Sequence, residues 1–243
     1  MDFTSRMVAL LGELRRERNG AVADAMRCYG APYGLNYGVS LPTLRKLARA
    51  ETPDHDFARY LYLQDVRELR LAALHIARPE SLAADEFTAW AAGIVNSEVA
   101  EEAAFAFLSR ADALPALFAA WISDPNPLLR YAALQSAARS NSLTAAWIAP
   151  AVEAVRRAAE SAAECASGTA AEPVAEPASG PVASPLSAPL AARLTAQGAV
   201  ALLAAVGARN EENRQAVLRA AGSLGKLPAE DYVHEELTWR LEA

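Results

Sequence analysis

The chain has 243 residues, of which 53% are apolar, and its formal net charge of -6 does not favour a general polyanion binder. Alanine supplies much of the apolar share, while the runs of Val, Ile, Thr and aromatic residues that favour strands are nearly absent. This composition predicts an all-α protein, in which any nucleic-acid role depends on a local basic face.

A glycine-punctuated loop, YGLNYGV at residues 33–39, follows the first two predicted helices. Gly34 and Gly38 predict a fixed bend, because glycine adopts backbone angles that are closed to other residues, and the two tyrosines can pack against that bend. The loop therefore predicts a defined entry into the next helix. The helices before it are expected at residues 4–18 and 20–28.

The helix after the loop, LPTLRKLARA at residues 41–50, has a complete start signal and two distinct faces. Ser40 is a natural N-cap, and Pro42 lies in the first turn, where no amide hydrogen is missed. Leucines form an inward stripe at helical spacing, while basic residues gather on another face. That basic face consists of Arg45, Lys46 and Arg49. It can meet either phosphate or water.

Short helical patterns follow one another from residue 41 to residue 140, and each has one apolar face that requires a neighbour. Helix pairs or triplets at a spacing of roughly 35 to 45 residues are typical of an α-solenoid. The sequence therefore predicts a solenoid within a single domain that spans the whole chain. A compact helical bundle is the competing architecture.

The composition changes abruptly to Ala, Pro, Ser, Gly and Glu at about residues 163–189. Regularly spaced prolines block helix formation there, and no large aromatic residue anchors the stretch, so we expect a disordered insertion. Helical patterns resume at residues 191–208 and 210–226. Asn210 can cap the second of these helices. The insertion is therefore expected to lengthen one loop of a continuous array.

Several segments together resemble the AlkD-like DNA alkylation repair family. They are YGLNYGVSLPTLRKLAR, VRELRLAALHIA, SEVAEEAAFAFLSR, WISDPNPLLRYAAL and NRQAVLRAAGSLGK. The most specific part is the run G-V-x-x-P-x-L-R-K at Gly38–Lys46. The resemblance implies HEAT-like repeats that form a positively charged cradle for double-stranded DNA. It also implies, for active members, excision of cationic alkylated purines.

The family's catalytic positions fall on the helix SEVAEEAAF. In active members a tryptophan begins this helix and the catalytic aspartate follows one turn later; the corresponding residues here are Ser97 and Glu101. A glutamate can stabilise a cationic sugar, but its extra methylene displaces the charge, which catalytic geometry tolerates badly. Glu98 and Glu102 flank Glu101 at helical contact spacing, so this surface is expected to repel phosphate.

The resemblance also assigns residues toward the C-terminus. Arg219 takes the place of a second aromatic residue, and Arg130 is retained as the expected phosphate ligand. The predicted DNA-binding residues are Arg45, Lys46, Arg49, Arg130 and Arg219. Arg67, Arg70 and Arg214 could extend the same basic track. A solvated helix face is the alternative for each of these residues.

Tryptophans, glutamates and histidines are further candidates for binding roles. Trp90, Trp121, Trp147 and Trp239 occupy apolar helical contexts, which predicts core or groove lining. The groove candidates are Ser97, Glu98 and Trp121. The three glutamates of SEVAEEAAF could form an acid-base or cation-binding cluster, or could simply favour the helix N-terminus. The histidines show no metal-ligand spacing, so no metal or cofactor is expected.

Two functions remain open from the sequence. The first is a divergent AlkD-like protein that binds double-stranded DNA in the repair of alkylated DNA, with Glu101 as the catalytic candidate if base excision is retained. The alternative is a non-enzymatic scaffold that holds a protein partner. No apolar stretch reaches the roughly 18 uninterrupted residues that would predict a membrane span. The two cysteines show no disulfide framework, which favours the cytoplasm.

Overall fold

The computed structural model describes residues 2–29, 33–168 and 186–242. These residues form thirteen α-helices, and their only pairing of strand type is one parallel bridge between Leu35 and Val66. The prediction of an all-α chain is confirmed. In chain order the helices are α1 Phe3–Arg16, α2 Gly20–Cys28, α3 Leu41–Ala50, α4 His55–Tyr62, α5 Arg67–Ile76, α6 Phe87–Ala92, α7 Ser97–Ala106, α8 Leu114–Trp121, α9 Pro127–Ala138, α10 Ile148–Ala166, α11 Ala188–Gly207, α12 Glu211–Ala221 and α13 Pro228–Glu242.

Short polar side chains begin most of these helices. Ser40 accepts a hydrogen bond from the Thr43 amide at 3.3 Å, and Asn210 accepts one from the Asn213 amide at 2.8 Å, so both predicted N-caps are confirmed. The other helices with such a cap begin after Asp2, Asn19, Asp54, Asn96 and Asn126.

The chain divides into two compact units, Met1–Pro115 and Ala116–Ala243. In the first unit, α3 packs on α5 and α5 packs on α7, while α4 packs against α5. Arg67 at the start of α5 binds Glu98 in the first turn of α7. One turn further along α7, Glu102 binds both Arg45 of α3 and His75 of α5. The three helices therefore lie side by side and run in the same direction, as in α-helical repeats.

The loop before α3 bends as the sequence predicts, but its two glycines serve different purposes. Gly38 has a φ of 71°, in the left-handed region that glycine favours. Gly34 has no positive φ; instead its amide donates to Asp65 at 3.2 Å, and a Cβ on Gly34 would lie 1.9 Å from the same carboxylate. Gly38 therefore sets the bend, and Gly34 permits a close approach.

Replacing Gly38 with alanine is expected to lower the free energy of unfolding by about 2 kcal/mol or more. The new Cβ would lie 2.1 Å from the carbonyl oxygen of Asn19, in addition to the strain of the positive φ. Urea denaturation measures the change. Gly12→Ala in α1 is the control, because its Cβ would meet nothing within 4 Å and alanine favours helix. Equal stability of the two variants would contradict the account.

In the second unit, α11 packs against α9, α10, α12 and α13. Its core side chains include Leu202 and Leu203, both 0% exposed. By length and composition alone α11 could cross a membrane, with a mean hydropathy of 1.5 over its apolar window. However, 56% of that window is buried by neighbouring helices, as is usual for the central helix of a folded unit, so this is weak evidence for a membrane span.

The predicted Pro-rich insertion is bounded by these helices. Helix α10 extends to Ala166 and α11 begins at Ala188, so the ends of the predicted segment are helical. Residues 169–185, which hold most of it, lie outside the described residues.

Candidate nucleic-acid interface

A fully buried carboxylate holds the loop that leads into α3. Glu68, which is 0% exposed, accepts hydrogen bonds from the backbone amides of Tyr37 at 3.1 Å and Val39 at 3.2 Å. It also binds Arg67 at 3.0 Å, and Arg67 in turn donates to the Val39 carbonyl at 2.9 Å. A buried ion pair thus fixes the start of α3 and, with it, the direction of the basic helix.

Arg67 and Arg70 do not belong to a surface track, contrary to the expectation from sequence. Arg67 is 1% exposed and Arg70 is 8% exposed. Burial alone would lower the pKa of Arg67, but hydrogen bonds and charge from Glu98 and Glu68 raise it above its ordinary value. Arg67 joins α5 to Glu98 of α7, while Arg70 contacts Asp65 and the Gln64 carbonyl in the loop before α5.

Glu98, a predicted groove residue, is occupied within the protein. Its carboxylate accepts hydrogen bonds from Nε and Nη2 of Arg67 and from the hydroxyl of Tyr33. Tyr33 also donates to Asn96 at 3.2 Å. Burial, followed by the charge of Glu98, raises the pKa of Tyr33 above its ordinary value, so the phenol stays protonated. Glu98 therefore shares Arg67 with Glu68 and is held in place by it and by Tyr33.

Glu102 is held in the same way by its neighbours. It is 3% exposed, and its two oxygens bind Nε of Arg45 at 2.8 Å and Nη2 at 2.6 Å. His75 Nε2 contacts the same carboxylate. Burial by itself would raise the pKa of Glu102, but the hydrogen bonds and charges of Arg45 and His75 lower it to about 2. Glu102 is thus paired with Arg45, whereas Glu98 shares Arg67 with the buried Glu68, so the repulsion of phosphate by this surface stays a prediction.

Replacing Glu102 with glutamine is expected to lower the free energy of unfolding at pH 7 by about 3 kcal/mol, because Arg45 and His75 lose a buried carboxylate whose pKa folding has lowered. Since folding lowers the pKa of Glu102 from 4.5 to about 2, its stabilisation is complete above pH 4.5 and disappears as the pH falls through 2. The gap between wild type and variant should shrink over that range in urea denaturation.

Glu13→Gln is the control for this measurement, because Glu13 is 52% exposed and pairs at the surface with Arg16 three residues later in α1. Its effect should stay below about 1 kcal/mol. A gap for Glu102→Gln that persists unchanged to pH 2 would contradict the assignment.

The outer face of α3 carries exposed positive charge. Lys46 and Arg49 are both exposed, and neither has a carboxylate partner among residues 2–29, 33–168 and 186–242. Arg45, on the same helix, is 31% exposed in its side chain although it is bound to Glu102. Two of the three predicted basic residues of α3 therefore face solvent with their charges available to a ligand.

The exposed residues of α7 form one stripe, at steps of four residues. They are Ser97, Glu101 and Phe105. The guanidinium carbon of Arg45 lies 4.6 Å from the centre of the Phe105 ring, so the stripe of α7 and the basic residues of α3 meet at this contact. We call the six residues Arg45, Lys46, Arg49, Ser97, Glu101 and Phe105 the α3–α7 face. Sequence reasoning missed Phe105, although the four-residue step from Ser97 through Glu101 leads to it.

The glutamates of α7 do not form a joint site. Glu98 binds Arg67 and Glu102 binds Arg45, whereas Glu101 is exposed. No group of three His, Cys, Asp or Glu side chains suited to a metal ion occurs in the described part of the chain.

In the second unit, Arg130 is anchored to its own loop. Its Nη1 donates to the carbonyls of Asp124 at 2.7 Å and Pro125 at 3.0 Å, while its Nε is buried and lacks a partner. Burial, and then the charge of Arg157, lower the pKa of Arg130. Arg157 also donates to Ser123 at 3.4 Å. Arg157 also pairs with Glu153 at 3.6 Å. Sequence reasoning missed Arg157.

The remaining predicted residues of this unit differ in exposure. Arg219 is exposed on α12, as a ligand-binding role requires, and Arg214 pairs with Glu211 at 3.3 Å. Trp121 is 4% exposed and lies in the core, which removes it from the groove candidates. Trp90 and Trp147 are buried as well, whereas Trp239 is 71% exposed, against the expectation of core or groove packing.

Comparisons with known proteins agree with this helical architecture. A solved structure superposes with a TM-score of 0.65 at 16% identity, covering 99% of this chain and 96% of that chain. That structure represents a new family of proteins related to the HEAT-like repeat DNA glycosylases with affinity for branched DNA structures. The likeness confirms the predicted fold, an α-solenoid of HEAT-like repeats. No curated protein matches the chain. The family model for DNA alkylation repair enzymes matches residues 10–163, and the chain therefore belongs to that family.

Proposed function

We propose that the protein binds DNA through the α3–α7 face of its first unit. The observation that carries the proposal is the exposure of Lys46 and Arg49 on α3 without a carboxylate partner among the described residues. Such cations attract phosphates and release counterions when they bind them. The net charge of -6 belongs to the whole chain, whereas the three basic residues of α3 lie within five positions of one helix.

Residues of the second unit add to the proposed phosphate contacts. Arg219 is exposed on α12, and Arg130 is the phosphate ligand that the family resemblance implies. The relative of known structure has affinity for branched DNA structures. We infer that branched DNA, with its double-stranded arms, is the preferred form for this chain as well.

Fluorescence anisotropy with a DNA junction and a matched duplex, over a series of salt concentrations, tests the proposal. The logarithm of the association constant should fall linearly with the logarithm of salt, with a slope of about -3 to -4 if Lys46, Arg49, Arg130 and Arg219 each contact a phosphate. Arg130→Ala should make that slope less steep by about 1. Absence of binding at a salt concentration of about 50 mM would refute the proposal.

Base excision is the second candidate, and the exposure of Glu101 favours it. Of the three glutamates on α7, Glu101 lies on the exposed stripe beside Phe105. A carboxylate there can stabilise a developing sugar cation by Coulomb attraction. Ser97, one turn earlier, has no ring to pack against the nucleotide, so release of N7-methylguanine is expected to be slow.

Glu101→Gln should abolish any release of N7-methylguanine and leave DNA binding unchanged. The physical reason is that glutamine keeps the shape and hydrogen-bonding capacity of the side chain but cannot stabilise a cation. Chromatography of the released base after incubation with methylated DNA measures the rate. Glu212→Gln, at an exposed glutamate in the first turn of α12, is the control. Equal release by wild type and Glu101→Gln would exclude Glu101 as a catalytic residue.

A protein-binding scaffold has its own support in the second unit. Trp239 is 71% exposed on α13, and Tyr232, seven residues earlier on the same helix, is 37% exposed. Exposed aromatic residues of this kind are enriched where proteins bind each other. The cytoplasm is the compartment that we propose for either role, because Cys28 and Cys165 are both exposed free thiols.

A further inference from the structure

Phe105 is an exposed aromatic ring on a polar and charged surface. It is 45% exposed, whereas the side chains before and after it on α7 belong to the core. Its neighbours on the exposed stripe are Ser97 and Glu101, neither of which can shield it from water. Exposure of that much aromatic surface opposes folding stability, so the core gives no reason for a ring at this position.

The surroundings of Phe105 hold its ring in place. Arg45 lies over the ring at 4.6 Å, and both nitrogens that Arg45 uses for its ion pair are bound by Glu102. Because Glu102 is 3% exposed and binds two nitrogens of Arg45, the ion pair favours the position of Arg45 over the ring. A guanidinium and an aromatic ring in contact offer planar groups on which a base can stack.

We propose that Phe105, with Arg45, is a stacking platform for one unpaired base of branched DNA. The proposal rests on the DNA-binding function proposed above and names the part of the DNA that this platform recognises. Aromatic rings and arginine planes are the groups on which proteins stack unpaired bases. Lys46, next to Arg45 on α3, and Arg49, one turn further along, supply the charges that would hold the phosphates beside that base.

The platform accounts for a preference between DNA forms. In a fully paired duplex each base is already stacked on its neighbours and its faces are hidden, so the ring of Phe105 has nothing to stack on. At a branch point an unpaired base exposes a face without the cost of unstacking a duplex. The basic residues would bind either form, and Phe105 would add affinity only for the branched one.

The test uses a three-way DNA junction that carries the fluorescent base pyrrolocytosine, unpaired, at the branch point, together with a fully paired duplex of equal length. Phe105→Leu keeps apolar volume but removes the ring. We expect it to weaken junction binding by about tenfold and duplex binding by less than about twofold. Quenching of the fluorescent base by wild type should be lost, and Phe105→Trp should retain both affinity and quenching.

Trp239→Leu removes an aromatic ring of 71% exposure from the second unit and serves as the matched control. It should change neither the affinity for the junction nor that for the duplex. Circular dichroism verifies that each variant is folded. Equal affinities of wild type and Phe105→Leu for the junction, or equal losses for junction and duplex, would overturn the platform while leaving DNA binding intact. Failure of wild type to bind either DNA would overturn the proposed function itself and the platform with it.

Discussion

Replacing Arg67 with methionine is expected to lower the free energy of unfolding by about 3 to 5 kcal/mol. Arg67 is 1% exposed, and its removal leaves Glu68, which is 0% exposed, as a buried carboxylate without a counter-charge. Glu98 loses both of its arginine hydrogen bonds, and the Val39 carbonyl loses its donor. Urea denaturation at pH 7 measures the effect.

Arg78→Met is the control for this variant. Its side chain is 52% exposed and pairs at the surface with Glu80, so the same substitution there should change the stability by less than about 1 kcal/mol. If Arg67→Met and Arg78→Met had similar effects, the ion-pair network around α5 would not be what joins α3 and α7.

Replacing both Lys46 and Arg49 with alanine is expected to weaken binding to junction and duplex DNA by on the order of tenfold at low salt, because two phosphates lose their cations. For the same reason the slope of the logarithm of the association constant against the logarithm of salt should become less steep by about 2. The loss should be similar for both DNA forms, in contrast to the loss caused by Phe105→Leu.

The matched control removes two exposed positive charges elsewhere in the first unit. Arg27 pairs with Asp24 on α2, and Arg78 pairs with Glu80. Arg27→Ala/Arg78→Ala therefore changes the net charge by the same amount without touching the α3–α7 face. If this pair reduced affinity and salt slope as much as Lys46→Ala/Arg49→Ala, binding would depend on overall charge and not on α3.

Local signals in the sequence were sufficient to predict the helices and the start of α3. Ser40 caps α3 through a hydrogen bond to a residue three positions away, and Gly38 takes the predicted positive φ, because both properties depend on neighbouring residues. Arg67 was placed on the surface from sequence, although it is buried. Its partner Glu98 is 31 residues away, so no local pattern reveals the pair.

The same limit applies to the candidate site. Helical spacing placed Glu98 and Glu102 beside Glu101, but it could not show that arginines from other helices bind them. The position of Phe105 on the exposed stripe of α7 was available from spacing alone. Its contact with Arg45, 60 residues earlier, depends on how α3 and α7 pack and required the structure.

Lysine acetylation in the presence and absence of branched DNA is a direct test of DNA binding at the α3–α7 face. The chain has two lysines, Lys46 and Lys226, and both are exposed. Mass spectrometry gives the rate at each site, and Lys226 serves as the internal control. DNA contact at the α3–α7 face predicts that saturating DNA slows acetylation of Lys46 and leaves that of Lys226 unchanged. Equal rates at Lys46 with and without bound DNA would contradict the account.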